Sequence, residues 1–200
     1  MSKTSKPSIR RPYGTVAAAF AAVAVVGGSA YAGAVSPASH ASTHSDSAVT
    51  ARANLKLQPS SAVLAGCFPN AGAKVKVDLT TDEVGKDTFT IRAHDLKPRT
   101  DFTVFLVETP GSPFGAAEYI GDFTTNRYGQ AYNRFDLIVE EAFAFNNVTK
   151  SRTDLNSVGV WFADPKDDDG CLGAASPVTG FDGDASAGVQ MLNSGLDLLP

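Results

Sequence analysis

The sequence is poor in the residues from which most catalytic and metal centres are built. Its 200 residues hold three histidines, two cysteines and one tryptophan. Two of the histidines, His40 and His44, stand in a Ser/Thr-rich stretch just after Pro37, where solvated chain without fixed structure is the plain reading. His94, at a strand end beside Asp95, is then the one histidine in the region that reads as folded. A copper or zinc centre needing several histidines lacks its ligands. No G-x-S-x-G elbow occurs, and Gly111-Ser112-Pro113-Phe114-Gly115 does not match one. The carboxylates Glu140 and Glu141 are adjacent, and neighbours on a strand point to opposite faces, so the two would not share a substrate. Also missing is any long segment with a 3.6-residue apolar stripe, the tail 185–199 excepted.

With only two cysteines, Cys67 and Cys171 read as one disulfide in an oxidising compartment. Closing a loop of about 100 residues stabilises by roughly 4–5 kcal/mol through lost chain entropy. Leu64-Ala65-Gly66-Cys67 matches a lipobox, but that motif works at the end of a signal's apolar run. Here Arg52, Lys56 and Gln58 intervene.

What is present points to export. A basic start (Lys3, Lys6, Arg10, Arg11) leads into an uncharged Ala/Val run and closes on Ala30-Tyr31-Ala32, the pattern of a secretory signal peptide. The run from Gly14 to Val35 is long enough to span a membrane, but it has no Leu or Ile to stabilise a span. Pro12 and Tyr13 follow Arg10-Arg11 where a twin-arginine signal would have an apolar pair. Residues 1–32 carry four of the seventeen Lys and Arg and none of the twenty-one Asp and Glu, leaving thirteen against twenty-one, a net −8. An acidic exported domain repels nucleic acid and anionic lipid, so neither nucleic acid nor a membrane is the expected partner. Cations, basic partners and neutral glycans remain compatible.

Residues 33–60, rich in Ala, Ser, Thr and Pro, read as a flexible linker. From Ala73 a period of two begins. Val75, Val77 and Leu79 alternate with Lys74, Lys76 and Asp78; after a polar turn, Phe89, Ile91 and Ala93 alternate with Thr88, Thr90 and Arg92. These make a hairpin with one wet face. The strand from Phe102 to Val107 is apolar on both sides, as in a strand covered on each face. The stretch 108–113, with two prolines and a glycine, is a loop. Two more strands, from Tyr119 and from Ala131, join across Asn126-Arg127-Tyr128-Gly129, with Gly129 free to take positive φ. The stretch from Glu140 to Arg152 reads two ways: Phe143 and Phe145 favour a short strand, while Glu140-Glu141-Ala142 could begin a helical turn. Val158, Val160 and Phe162 make another, with Trp161 as a core plug. The expectation is an all-β fold, an antiparallel β-sandwich over 61–181, followed by a tail, 182–200, forming a short helix or an edge strand.

Leu96-Lys97-Pro98-Arg99-Thr100-Asp101-Phe102-Thr103-Val104 resembles the L-x-P-x-T-x-Y-x-V turn and strand of fibronectin type III and other immunoglobulin-like sandwiches. In those, the tyrosine hydroxyl bonds back to the turn backbone. Phe102 keeps the packing and loses that bond. The resemblance implies architecture only, because such sandwiches host many functions. The Ala-rich leader and bipartite layout also resemble secreted proteins of high-GC Gram-positive bacteria.

The sharpest polar cluster is Asp164, Asp167, Asp168 and Asp169 in a turn ending Gly170-Cys171. Four carboxylates on a tight bend could hold Ca²⁺ through oxygen ligands. An EF-hand is excluded, since its phasing would place Pro165 first and Ser176 twelfth. The competing reading is a solvated acidic turn closed by the disulfide. Together these features read as a secreted, non-catalytic module that binds a cell-surface, glycan or protein partner, or an exported structural protein. Its loops 108–117 and 164–177 are the platforms, with Phe114, Tyr119 and Tyr128 as aromatics for sugar. The alternative is an exported hydrolase using the carboxylates and a bound calcium.

Overall fold

The computed structural model describes residues 51–139, 142–182 and 185–199. The leader of 1–32, the first part of the expected linker, His40, His44, Glu140 and Glu141 lie outside the described residues. In chain order the elements are β1 (Ala51–Pro59), α1 (Ala62–Cys67), β2 (Gly72–Leu79), α2 (Thr81–Val84), β3 (Asp87–His94), β4 (Asp101–Val107), β5 (Ala117–Thr124) and β6 (Ala131–Leu137). They continue with β7 (Phe143–Asn146), β8 (Ser151–Asp154), β9 (Ser157–Phe162), a 3-10 turn (Pro165–Asp167), α3 (Asp169–Leu172), β10 (Thr179–Asp182), β11 (Ala185–Ala187) and β12 (Gln190–Asn193). The fold is all-β and antiparallel.

Eight strands hydrogen-bond in the order β5-β4-β9-β12-β1-β2-β3-β6, while β7-β8 and β10-β11 form small separate hairpins. The eight fall into two layers. β1 pairs with β2 from Ala51 to Leu57, then passes only Gln58 and Pro59 to β12, opposite Asn193 and Leu192. It is the corner strand that joins the layers. At the other end the β5–β6 hairpin brings the two outer strands together, with Asn133 Nδ2 donating to the Asp122 carbonyl at 2.8 Å. The result is a sandwich that nearly closes as a barrel.

Alternation explains the core. Leu55, Leu57, Val75, Val77, Phe89 and Ile91 from one layer meet Phe102, Val104, Leu106, Val158, Val160 and Phe162 from the other, all buried in one cluster. Phe102 packs against Phe123 and Phe162, ring centroids 5.5 and 5.0 Å away. At the crossing of β5 and β6, Gly121 (φ +152) leaves room for the Phe135 ring, which any Cβ there would strike.

Two sequence expectations need correction. The linker expected over 33–60 is, from residue 51 on, strand β1, because Leu55 and Leu57 are buried inside the sheet. The tail expected as a helix or edge strand supplies β12, an interior strand between β9 and β1. Four consecutive residues buried or nearly so leave no alternation to read there. Strands of the main sheet are therefore found on both sides of the expected 61–181, in β1 and β12. Other expectations stand as stated: the β2–β3 hairpin, the doubly covered β4, the 126–129 turn with Gly129 at φ +71, and a strand at Phe143.

The turn before β4 shows what replaces the missing tyrosine hydroxyl. Asp95 and Arg99 both sit at φ 54, a left-handed conformation that non-glycine residues rarely hold without support. Thr125 supplies it: its Oγ1 accepts from the Thr100 N–H at 3.0 Å and donates to the Lys97 carbonyl at 2.6 Å.

Candidate functional site

The disulfide is formed, Cys67 to Cys171, joining α1 to α3. Such a bond fits an oxidising compartment. Among the described residues no helix is long and apolar enough to cross a membrane.

The acidic turn is put to structural use. Asp164 Oδ1 accepts from the Lys166 N–H at 2.9 Å and starts the 3-10 turn. Asp167 pairs with Lys97 at 2.7 Å, and the same ammonium donates to the Asp167 carbonyl at 2.8 Å. This latches the acidic turn to the turn before β4. Asp168 is fully buried; Oδ2 accepts from the Val189 N–H at 2.8 Å and Oδ1 from the Ser176 hydroxyl. Asp169 opens α3, half-exposed. Among the described residues no three His, Cys, Asp or Glu side chains gather in a metal-holding group. His94 lies on the surface with Nδ1 3.1 Å from Asp95 Oδ2, both about half exposed.

The aromatics singled out on the loops separate. Phe114 packs edge-on against Trp161 at 5.0 Å, and Tyr119 leans on Phe105 while its hydroxyl donates to Asp122 at 2.8 Å. Tyr119 and Tyr128 are both exposed, and the Arg127 guanidinium lies 4.6 Å over the Tyr128 ring and donates to its hydroxyl at 2.5 Å.

Another surface is the outer face of β1, β2, β3 and β6, where an open groove of about 930 Å³ crosses the strands. Register arranges its side chains in three rows. The first is Lys56, Lys74, Arg92 and Tyr132, each directly opposite the next. The second is Asn54, Lys76, Thr90 and Arg134. The third is Arg52, Asp78, Thr88 and Asp136.

Charge is graded across these rows. In the third, Asp78 binds Arg52 and Lys76, both at 2.8 Å, and Asp136 binds Lys86 at 2.7 Å and Arg134 at 3.4 Å. The Lys76 ammonium, and then Arg52, hold the Asp78 carboxyl below the usual carboxylate range against the opposing effect of partial burial. Lys86 does the same for Asp136. In the first row no carboxylate among the described residues ion-pairs with the Lys56, Lys74 or Arg92 side chain, and the one carboxylate at its end, Asp197, accepts from the Lys56 backbone N–H at 3.1 Å. Arg92 instead lies 5.0 Å over the exposed Tyr132 ring. With strands about 4.8 Å apart, three positive charges stand in line across about 10 Å.

An acidic chain thus carries a locally basic face, which net charge conceals. The sequence held the signal as wet-face cations at alternate positions of β2 and β3, but only register shows that they line up. Lys56 was hidden in the expected linker, and nothing about Tyr132 marked it. Compared with protein-family models, with curated proteins and with solved structures, the chain matches none.

Proposed function

We propose that the protein is an exported, non-catalytic β-sandwich module, immunoglobulin-like by its turn motif, that binds an acidic cell-surface glycan across the outer face of β1, β2, β3 and β6. The observation that carries this reading is the row Lys56–Lys74–Arg92. Like charges in direct cross-strand register destabilise a sheet, and a polyanion laid along the row relieves that repulsion on binding. Tyr132 closes one end of the row with an exposed ring, which a sugar face can cover. Asn54 and Thr90 in the next row offer neutral hydrogen-bonding groups suited to sugar hydroxyls. The self-neutralised third row marks where the ligand's charge ends. A hydrolase built on the 164–169 carboxylates is the weaker reading, because Lys97 and the Val189 N–H already engage Asp167 and Asp168.

Retention of the exported form on immobilised polygalacturonate, against neutral dextran and duplex DNA, tests the proposal at low and high salt. Retention on polygalacturonate that fades with salt and vanishes in Lys74→Glu supports it. Equal retention on DNA would overturn the glycan assignment. No retention on any polyanion would overturn the face itself.

A further inference from the structure

Beside the groove on the basic face lies a second open hollow of about 840 Å³. Arg92 and Tyr132 line both, so the hollow continues the surface at that end of the cation row. Its other polar walls are His94, Thr124, Asn126 and Gln130. The threonine and the two amides carry no charge, and a tyrosine carries none below about pH 10. Among these groups, a histidine is the one that changes charge at physiological pH.

Register and a glycine place the His94 ring. His94 stands two residues beyond Arg92 on the wet face of β3, directly opposite Gly72 of β2. A Cβ at Gly72 would lie 3.2 Å from both Cε1 and Nε2 of His94, so the ring reaches across to β2 over a position with no side chain to hold it off. Lys74 follows that glycine by two residues, a rise of about 7 Å along β2, and Arg92 lies at the same interval along β3. The third charge facing the ring is Asp95, whose Oδ2 is 3.1 Å from Nδ1. From β6 and the turn before it, the hollow receives only the neutral groups already named.

A carboxylate only accepts, so Nδ1 carries the hydrogen shared with Asp95, and in the neutral ring Nε2 is left with a lone pair. A sugar carboxylate finds no donor there. Protonation turns Nε2 into a donor and gives the ring the same sign of charge as the row.

We propose that His94 is a further contact of the glycan site, engaging a sugar carboxylate through Nε2–H only when protonated, so that the face holds an acidic glycan more tightly in mildly acidic surroundings. The inference rests on the reading of the basic face as a glycan site. The coupling is mutual: a bound polyanion also draws a proton onto the ring.

Titration calorimetry of the exported protein with oligogalacturonate tests it at about pH 5.5 and about pH 7.5, a range over which sugar carboxylates stay ionised. The expected result is binding about three- to tenfold tighter at the lower pH. Protons should be taken up on binding, read from the heats in buffers of different ionisation enthalpy. His94→Gln should bind equally at both pH values, although His40 and His44 remain in it to titrate. His94→Arg, with a permanent charge, should bind at the tighter level at both. Equal binding at the two pH values by the unaltered protein, or a pH dependence that survives in His94→Gln, would overturn the inference and leave the glycan reading standing. No binding at either pH would overturn both.

Discussion

The outer face of β1-β2-β3-β6 and the outer face of β4-β9 back onto the same core, yet one meets solvent and the other does not. On the first, Lys74, Lys76 and Arg92 alternate with buried Val75, Val77 and Ile91, and no described residue covers them. On the second, Phe105, Val107 and Trp161 are as buried as the inner residues, because Ala187 and the Phe114 loop close over them in a separate small cluster. The difference teaches that connecting segments hide one outer face, while the described residues leave the other open. A strand with apolar residues on both sides recruits its own cover; a strand with cations on one side does not.

The comparison breaks most sharply at Trp161. Trp161→Ala opens a hole in the covered face and should cost about 3–5 kcal/mol in urea unfolding. Tyr132→Ala on the open face should cost no more than about 0.5 kcal/mol while reducing glycan retention. Similar losses for both would mean that the faces are not different in kind. Asp168→Ala strands the Val189 N–H behind the cover and should cost about 1–3 kcal/mol. That loss should be the same in EDTA and in millimolar calcium, because the carboxylate serves the Val189 N–H and the Ser176 hydroxyl; a loss confined to calcium-containing buffer would restore the cation reading of the turn.

Lys74→Thr removes the middle of the like-charged row and should stabilise by about 0.2–1 kcal/mol, with retention on polygalacturonate lost. A loss of both stability and binding would show the row to be structural. The smallest effect concerns pH. Asp78 is depressed in the folded state, so its contribution is complete at neutral pH and is lost as pH falls below about 4, through the depressed folded value. Asp78→Asn should flatten the acid limb of a plot of urea midpoint against pH, and an unchanged limb would show that the Lys76 and Arg52 pairs contribute nothing measurable.

The parts legible in the sequence were those where local pattern and tertiary role agree. Val75 to Leu79 and Phe89 to Ala93 alternate because one face is wet, and Phe102 to Val107 does not because both are dry. β1 escaped notice because Ala53, Leu55 and Leu57 follow a long Ser/Ala-rich stretch whose composition outweighed six residues of alternation. β12 is four residues long and carries no period at all. The basic face is a property of pairing rather than of any one segment. Lys56, Lys74 and Arg92 are ordinary solvent-facing cations until three strands are placed in register, and no single segment contains that information.

The first described strand and the last are neighbours in the sheet, and β12 is also what binds β9 to the corner strand. With β12 in place the eight strands form one continuous order. Without it β9 and the end of β1 would each present an unpaired edge, a margin on which a strand of another copy can pair. A variant cut before Gln190 would expose both of these edges, while the β5–β6 hairpin and the Cys67–Cys171 bond still held the layers together.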